Sequence, residues 1–114
     1  MTINMPRGDI RLVPFNVKDA TGELSDIQFE DIYFTVKRNY FDQEPVFQKK
    51  LSSGEIETDG QGNFWFTINA EDTDNLSYGK YVFDIELVCL AEGIKQTTTG
   101  DFNLTYEATF RSNE

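Results

Sequence analysis

The chain has 114 residues, a length that fits one domain built around a single hydrophobic core. Its formal net charge of −10 gives a surface that repels nucleic-acid phosphates and anionic lipids, so we expect neither nucleic acid nor a membrane as a partner. The sequence has no histidine and one cysteine, Cys89, which excludes histidine-based catalysis, an internal disulfide and thiolate metal clusters.

The two ends of the chain are predicted to be short and polar, over residues 1–5 and 111–114, with the core of the domain spanning about residues 7–110. The N-terminal segment has no apolar run typical of a secretory signal, and no stretch has the roughly 18 apolar residues of a membrane-spanning helix. We therefore expect synthesis in the cytoplasm.

The first predicted strand changes phase along its length. Its apolar residues fall on two faces, with Ile10 and Leu12 on one and Val13, Phe15 and Val17 on the other. Pro14 stands beside the change and cannot donate to a ladder, so the pattern predicts an edge strand that switches sheet partway. The Arg-Gly-Asp tripeptide at residues 7–9 is interpreted as the opening of this strand rather than as an adhesion motif.

Later segments alternate apolar and polar residues with a period of two, which is typical of strands with one buried face. The residues predicted to face the core are Ile32, Phe34, Val36, Phe64, Phe66, Ile68, Tyr81, Phe83, Ile85, Leu87, Cys89, Ile94, Phe102, Leu104, Tyr106, Ala108 and Phe110. Gly- and Asp-containing turns separate these runs about every ten residues, which indicates an all-β sandwich or barrel.

The strand over residues 45–51 is ambiguous, because either Val46 or the pair Phe47 and Leu51 could point inward. Its two lysines, Lys49 and Lys50, are expected to protect a sheet edge, since charged side chains discourage edge-to-edge pairing.

Acidic residues cluster just before the strand that begins near Tyr81. In sandwiches, such a tyrosine can donate its hydroxyl to upstream backbone and close a corner between the sheets. Leu76 would plug the end of the core, Gly79 would allow the tight turn, and Asp72 and Asp74 would cap the turn. The alternative is a calcium site, but the segment lacks the glycine and bidentate glutamate of a calcium loop, so we expect no metal.

The order of four motifs resembles a family of small immunoglobulin-like β-sandwiches encoded near tail and baseplate genes of tailed bacteriophages and prophages. The motifs are "RGD…F.V.D..G.L", "YFTVKRNYFDQEPVFQK", "GNFWFTI…EDTDNLSYGKYVFDIELV" and "GDFNLTYEAT", and together they span about residues 7–110. The resemblance implies an antiparallel two-sheet Greek-key fold of about seven strands. It also implies a location in the virion and assembly with other copies of the chain or with other tail subunits. These motifs are architectural and carry no catalytic residue.

Two carboxylate pairs, Glu55/Glu57 and Asp84/Glu86, have the i, i+2 spacing that puts both members on one strand face. General acid–base catalysis would need a cleft that raises the pKa of one member. A sandwich of this size is not expected to form such a cleft, so we interpret both pairs as solvated. The sequence therefore predicts neither enzyme activity nor a cofactor.

Aromatic residues also occur outside the predicted core. Tyr33 and Trp65 lie opposite core residues on their strands and are predicted to form an uncovered face, and Tyr40 and Phe41 lie in a loop. Such rings could be covered by a neighbouring loop, contact a partner subunit or stack on a sugar.

Three functions are consistent with these features. The favoured one is a non-enzymatic phage structural protein at the tail or baseplate, acting by protein–protein assembly either as a homo-oligomer or with other tail subunits. The alternatives are a small carbohydrate-binding module for attachment to a host surface, and an adhesion domain. The adhesion domain is disfavoured because the chain has neither a recognisable signal nor a disulfide.

Overall fold

A computed structural model describes residues 1–106 and shows an all-β chain arranged in two sheets. The strands are β1 (Thr2–Pro6), β2 (Arg11–Asn16), β3 (Asp31–Lys37), β4 (Phe47–Lys50), β5 (Ile56–Thr58), β6 (Asn63–Ile68), β7 (Gly79–Cys89) and β8 (Ile94–Thr105). One helical turn, α1 (Ala70–Thr73), lies between β6 and β7, and a 3-10 turn (Leu90–Glu92) joins β7 to β8.

The larger sheet has five strands in the order β1-β8-β7-β3-β4, and the smaller has three in the order β2-β6-β5. All neighbours are antiparallel except β1 and β8, which are parallel. The five-stranded sheet is therefore mixed, and the prediction of a wholly antiparallel fold was wrong at this edge.

The core lies between the two sheets and is built mainly from phenylalanine rings. Phe34 of the five-stranded sheet and Phe66 of the three-stranded sheet have ring centroids 4.3 Å apart, and Phe34 also packs on Phe83 at 5.3 Å. Such aromatic pairs add about 0.5–1.5 kcal/mol to the free energy of burial. The inward faces predicted from alternation in β3, β6 and β7 are confirmed, including the buried Cys89.

The N-terminal residues form a strand rather than the polar end that was predicted. Ile3 and Met5 of β1 are buried in the core. The chain leaves the five-stranded sheet after Pro6 and enters the three-stranded sheet at Arg11, so the change of sheet occurs between β1 and β2 and not at Pro14. The prediction that Pro14 lies on an edge strand is confirmed, because β2 is an outer strand of its sheet.

In β4 the inward residues are Phe47 and Lys49. The ring of Phe47 packs on Phe34 and Phe102, with centroids 6.1 and 5.9 Å away. Val46 and Leu51, at either end of the strand, are partly buried against the same core. Lys49 is buried, so the prediction that it protects an exposed edge was wrong.

Strand β8 agrees with the predicted alternation only in part. Phe102 and Leu104 are buried as predicted, whereas Tyr106, also predicted to face the core, is 76% exposed. Ala108 and Phe110 lie outside the described residues.

The helical turn α1 is tied to β4 through one carboxylate. Asp72 Oδ2 accepts a hydrogen bond from the Asn69 backbone N–H at 2.8 Å and lies 2.7 Å from Lys49 Nζ. The side chains of Lys49 and Asp72 are only 6% and 15% exposed. Capping by Asp72 is thus confirmed, but Asp74 lies at the opposite end of the turn, where its own N–H donates to Ala70 O.

The Arg-Gly-Asp segment forms a turn that packs against the same corner. The Gly8 N–H donates to Thr73 Oγ1 at 2.8 Å, and Thr73 is fully buried. Gly8 has a φ of +83°, which favours glycine at this position. The Arg7 guanidinium lies 4.3 Å from the ring centroid of Tyr78. The tripeptide is therefore part of the packed corner.

Tyr81 is buried near the start of β7 and donates its hydroxyl to Ser77 O at 2.8 Å, four residues upstream. The Arg38 guanidinium lies 4.7 Å from the ring centroid. Gly79 has a φ of +127°, a backbone conformation that residues with a side chain rarely adopt, so this turn favours glycine. Leu76 is partly buried against the core.

We predict that Tyr81→Phe lowers the free energy of unfolding by about 1–3 kcal/mol, because it removes the hydroxyl and leaves Ser77 O without its donor. Urea unfolding measures the change. Tyr106→Phe is the matched control, since that residue is largely exposed. Equal stability of the two variants would show that the Tyr81 ring, and not its hydrogen bond, holds the corner.

Candidate functional site

Tyr33 and Trp65 lie on the outer faces of different sheets. Tyr33 belongs to β3 of the five-stranded sheet, and Trp65 belongs to β6 of the three-stranded sheet. Both alternate with buried core residues, so their side chains point away from the core on opposite sides of the molecule. The prediction that they form one face was therefore wrong.

Trp65 is half-buried by its neighbours on the three-stranded sheet. It pairs with Pro14 of β2 and with Glu57 of β5, and its Nε1–H donates to Glu57 Oε2 at 3.0 Å. Glu57 is thus used to orient an aromatic ring. Leu12, two residues before Pro14 on β2, adds an exposed apolar side chain to this face.

Residues 38–46, here called the aromatic loop, connect β3 to β4 and present two aromatic rings. Phe41 is 86% exposed and Tyr40 is 50% exposed. The Tyr40 hydroxyl donates to Gly100 O of β8 at 3.0 Å, which fastens the loop to the five-stranded sheet.

The turn that carries Phe41 is held by hydrogen bonds on both sides of the ring. Asp42 Oδ2 accepts from the Asn39 N–H at 3.0 Å, and the Asp42 N–H donates to Asn39 O at 3.1 Å. Lys37 Nζ donates to Asp42 O at 2.6 Å. The exposed ring of Phe41 is therefore presented on an ordered turn.

A groove of about 330 Å³ lies on the outer face of the five-stranded sheet, beside the aromatic loop. Its lining residues are Tyr33, Thr35, Lys37, Gln43, Pro45, Gln48, Asp84 and Glu86. The strand register sets their order, because Thr35 pairs with Gln48 on one side and with Asp84 on the other. The pair Asp84/Glu86 is partly exposed, as predicted, but it lies in this open groove, which the sequence did not predict.

The polar groups of the groove differ in how they are satisfied. Gln48 Nε2 donates to Thr35 Oγ1 at 2.9 Å, and Lys37 is already bound to the aromatic loop. Within residues 1–106, neither the Asp84 carboxylate nor the Glu86 carboxylate accepts a hydrogen bond from a protein group. Both residues are partly exposed, so the two carboxylates are open to water and to a ligand.

Burial raises the pKa of the Asp84 carboxyl above its ordinary value of 3.8, and the negative charge of Glu86 raises it further, whereas Lys37 acts in the opposite direction. On the same face, the charge of Asp31 raises the pKa of the Tyr33 hydroxyl. Asp31 itself is fixed by the Ser52 hydroxyl, which donates to Asp31 Oδ2 at 2.7 Å.

The polar partners in the groove were missed by sequence reasoning. Alternation places Tyr33 and Thr35 on one outer face, and likewise Asp84 and Glu86, but it does not show that β3 and β7 are neighbours. Gln43 joins the groove only because the aromatic loop folds back beside it.

Within residues 1–106 no three His, Cys, Asp or Glu side chains are arranged to hold a metal ion. In the same part of the chain, no helix is long and apolar enough to cross a membrane. In the acidic cluster of residues 71–74, the Asp72 carboxylate accepts from the Asn69 backbone N–H and pairs with the Lys49 amine.

Comparison with protein-family models and with curated proteins found no match. Among solved structures, the endo-beta-1,4-mannanase from Thermotoga petrophila matches with a TM-score of 0.56 and 16% sequence identity. The match covers 93% of this chain and 18% of the mannanase chain. This chain thus spans less than one fifth of the mannanase, and at this identity the likeness shows the fold alone.

We predict that Asp84→Asn stabilises the protein at neutral pH. Because the pKa of Asp84 is higher in the folded state than in the unfolded chain, ionisation disfavours the fold as the pH rises through this range. The gain should therefore be present at pH 7, shrink as the pH falls through the raised pKa towards the ordinary value of 3.8, and be absent below it.

Urea midpoints of Asp84→Asn and the wild type between neutral and acidic pH measure this effect. Asp101→Asn is the control, since Asp101 is an exposed aspartate on the neighbouring strand β8. A loss of stability in Asp84→Asn at pH 7 would contradict the conclusion that burial and Glu86 raise the pKa of Asp84 in the folded state.

Proposed function

We propose that this chain is a non-enzymatic structural domain of a tailed bacteriophage or prophage, associated with the tail or baseplate, and that it acts by protein–protein assembly in the virion. The observation that carries the proposal is the aromatic loop. The chain has 10 Phe residues, of which five are buried in the core and three more pack against it. Against that pattern, an almost fully exposed phenylalanine on an ordered turn is unusual.

The aromatic loop has the physical properties of an interface anchor. Aromatic side chains supply a large share of binding free energy when they enter a pocket on a partner. A ring that is already positioned loses less conformational entropy on binding than a mobile one. The hydrogen bonds of Asp42 and Tyr40 provide this positioning before any partner binds.

The strand order supports an immunoglobulin-like Greek key. The three-stranded order β2-β6-β5 corresponds to strands B, E and D of that fold, and the order β4-β3-β7-β8 corresponds to C′, C, F and G. On this correspondence Tyr81 occupies strand F, as a tyrosine corner does. Small domains of this kind are suited to repeated assembly because the binding loops vary while the sheets stay fixed.

The charge of the chain constrains the mode of assembly. A net charge of −10 disfavours loose self-aggregation, so contacts between copies would have to be specific and closed by symmetry. Another tail subunit with a pocket for Phe41 satisfies the same requirement without self-association.

We predict that Phe41→Ala prevents incorporation into phage particles without unfolding the domain, because Phe41 makes little contact with its own chain. Particles produced by the source prophage are purified and the protein is detected by mass spectrometry. Leu90→Ala is the matched control. Leu90 is also an exposed apolar residue, but it directly follows β7 and lies outside the aromatic loop.

Wild-type protein and Leu90→Ala should both be found in particles, and Phe41→Ala should be depleted. Absence of the wild-type protein from particles would contradict the phage assignment. Equal incorporation of Phe41→Ala would contradict the role of the aromatic loop. Light scattering of the purified protein over a wide concentration range then separates self-assembly from binding to another subunit.

A further inference from the structure

The groove beside the aromatic loop is lined mainly by polar and charged residues that have no part in the proposed assembly through Phe41. Phe41 is not among its lining residues, whereas Gln43 and Pro45 of the same loop form one of its walls. Its volume of about 330 Å³ lies at the lower end of the range of about 300–1,000 Å³ found for small-molecule sites. The groove is therefore large enough for a small ligand.

The carboxylates of the groove can accept hydrogen bonds from a ligand. Asp84 is half-buried, and within residues 1–106 no protein group donates to its carboxylate or to that of Glu86. Burial and the negative charge of Glu86 disfavour the ionised form of Asp84, as its raised pKa indicates. Hydrogen-bond donors from a ligand would stabilise that form.

The opposite wall supplies groups that donate. One N–H of the Lys37 amine donates to Asp42 O, and the amine has further N–H groups that can donate to a ligand. Gln43 and Gln48 each carry an amide that can donate and accept. An anion would be repelled by Asp84 and Glu86, so a ligand with a negative charge is disfavoured. Hydroxyl groups satisfy both walls, because each can donate to a carboxylate and accept from an amine or amide.

Tyr33 adds an apolar surface to these polar groups. It is half-buried between Lys50 and Glu86, and its ring lines the groove. A flat aromatic ring among convergent polar groups is a typical arrangement in small-molecule sites. The ligand that fits should thus combine several hydroxyls with one apolar face, which is the chemistry of a pyranose ring.

We propose that the groove on the outer face of the five-stranded sheet binds a neutral saccharide unit. One apolar face of the sugar packs on Tyr33, two of its hydroxyls donate to Asp84 and Glu86, and the amide and amine groups of Gln48 and Lys37 donate to its oxygens. The binding is non-covalent and requires no change in the fold.

Titrations followed by two-dimensional NMR of the amide groups test this proposal. The probes are the methyl glycosides of glucose, galactose, mannose, rhamnose and N-acetylglucosamine, together with a glycan array of longer saccharides. At least one probe should shift amides of β3, β4 and β7 next to Tyr33, Gln48 and Asp84. The affinity for that probe should fall at least severalfold in Tyr33→Ala and in Asp84→Asn.

The stability of Asp84→Asn and two control variants, Trp65→Ala and Phe41→Ala, separate sugar binding from other effects. Asp84→Asn is expected to be more stable than the wild type, so loss of binding in this variant cannot result from unfolding. Trp65→Ala removes an aromatic ring of the other sheet, and Phe41→Ala removes the proposed assembly anchor; both should bind the sugar as the wild type does.

The proposal is overturned if none of the probes shifts these amides and the array is negative. It is also overturned if binding survives unchanged in both Tyr33→Ala and Asp84→Asn. Either outcome is independent of incorporation into particles, because Phe41 does not line the groove.

Discussion

A buried ion pair between Lys49 and Asp72 ties the two sheets together at one corner of the molecule. Lys49 lies on β4, the edge of the five-stranded sheet, and Asp72 lies on the turn that leads from the three-stranded sheet to β7. One oxygen of Asp72 serves both the lysine amine and the N–H of Asn69. Loss of either partner would leave the other charge buried and unpaired, which costs several kcal/mol of stability. The pair therefore joins the edge strand to the corner between the sheets.

Both proposed binding surfaces depend on the position of β4. Gln48, next to Lys49 in the chain, faces outward and donates to Thr35 of β3, while Lys49 faces inward to the corner. The aromatic loop ends where β4 begins, so fixing this strand also fixes the loop that carries Phe41. An inward contact thus determines the geometry of two outward surfaces.

Sequence reasoning succeeded where the physical signal was local. Period-two alternation correctly identified the buried faces of β3, β6 and β7, because each strand has three or more inward apolar residues. It missed β1, whose signal is limited to Ile3 and Met5. It also assigned Lys49 to the surface, since the partner that neutralises it lies 23 positions later in the chain. The groove and the separation of Tyr33 from Trp65 depend on which strands are neighbours, and alternation carries no information about that.

A double-mutant cycle on Lys49 and Asp72 tests the central claim most directly. Lys49→Met and Asp72→Ala each leave one buried charge unpaired, so each single variant should lower the free energy of unfolding by about 3–5 kcal/mol. The double variant leaves neither charge, so its loss should be well below the sum of the two single losses. Urea unfolding of the four proteins gives the coupling energy. Single variants within about 0.5 kcal/mol of the wild type, or losses that simply add, would contradict the claim that this ion pair joins the edge strand to the corner.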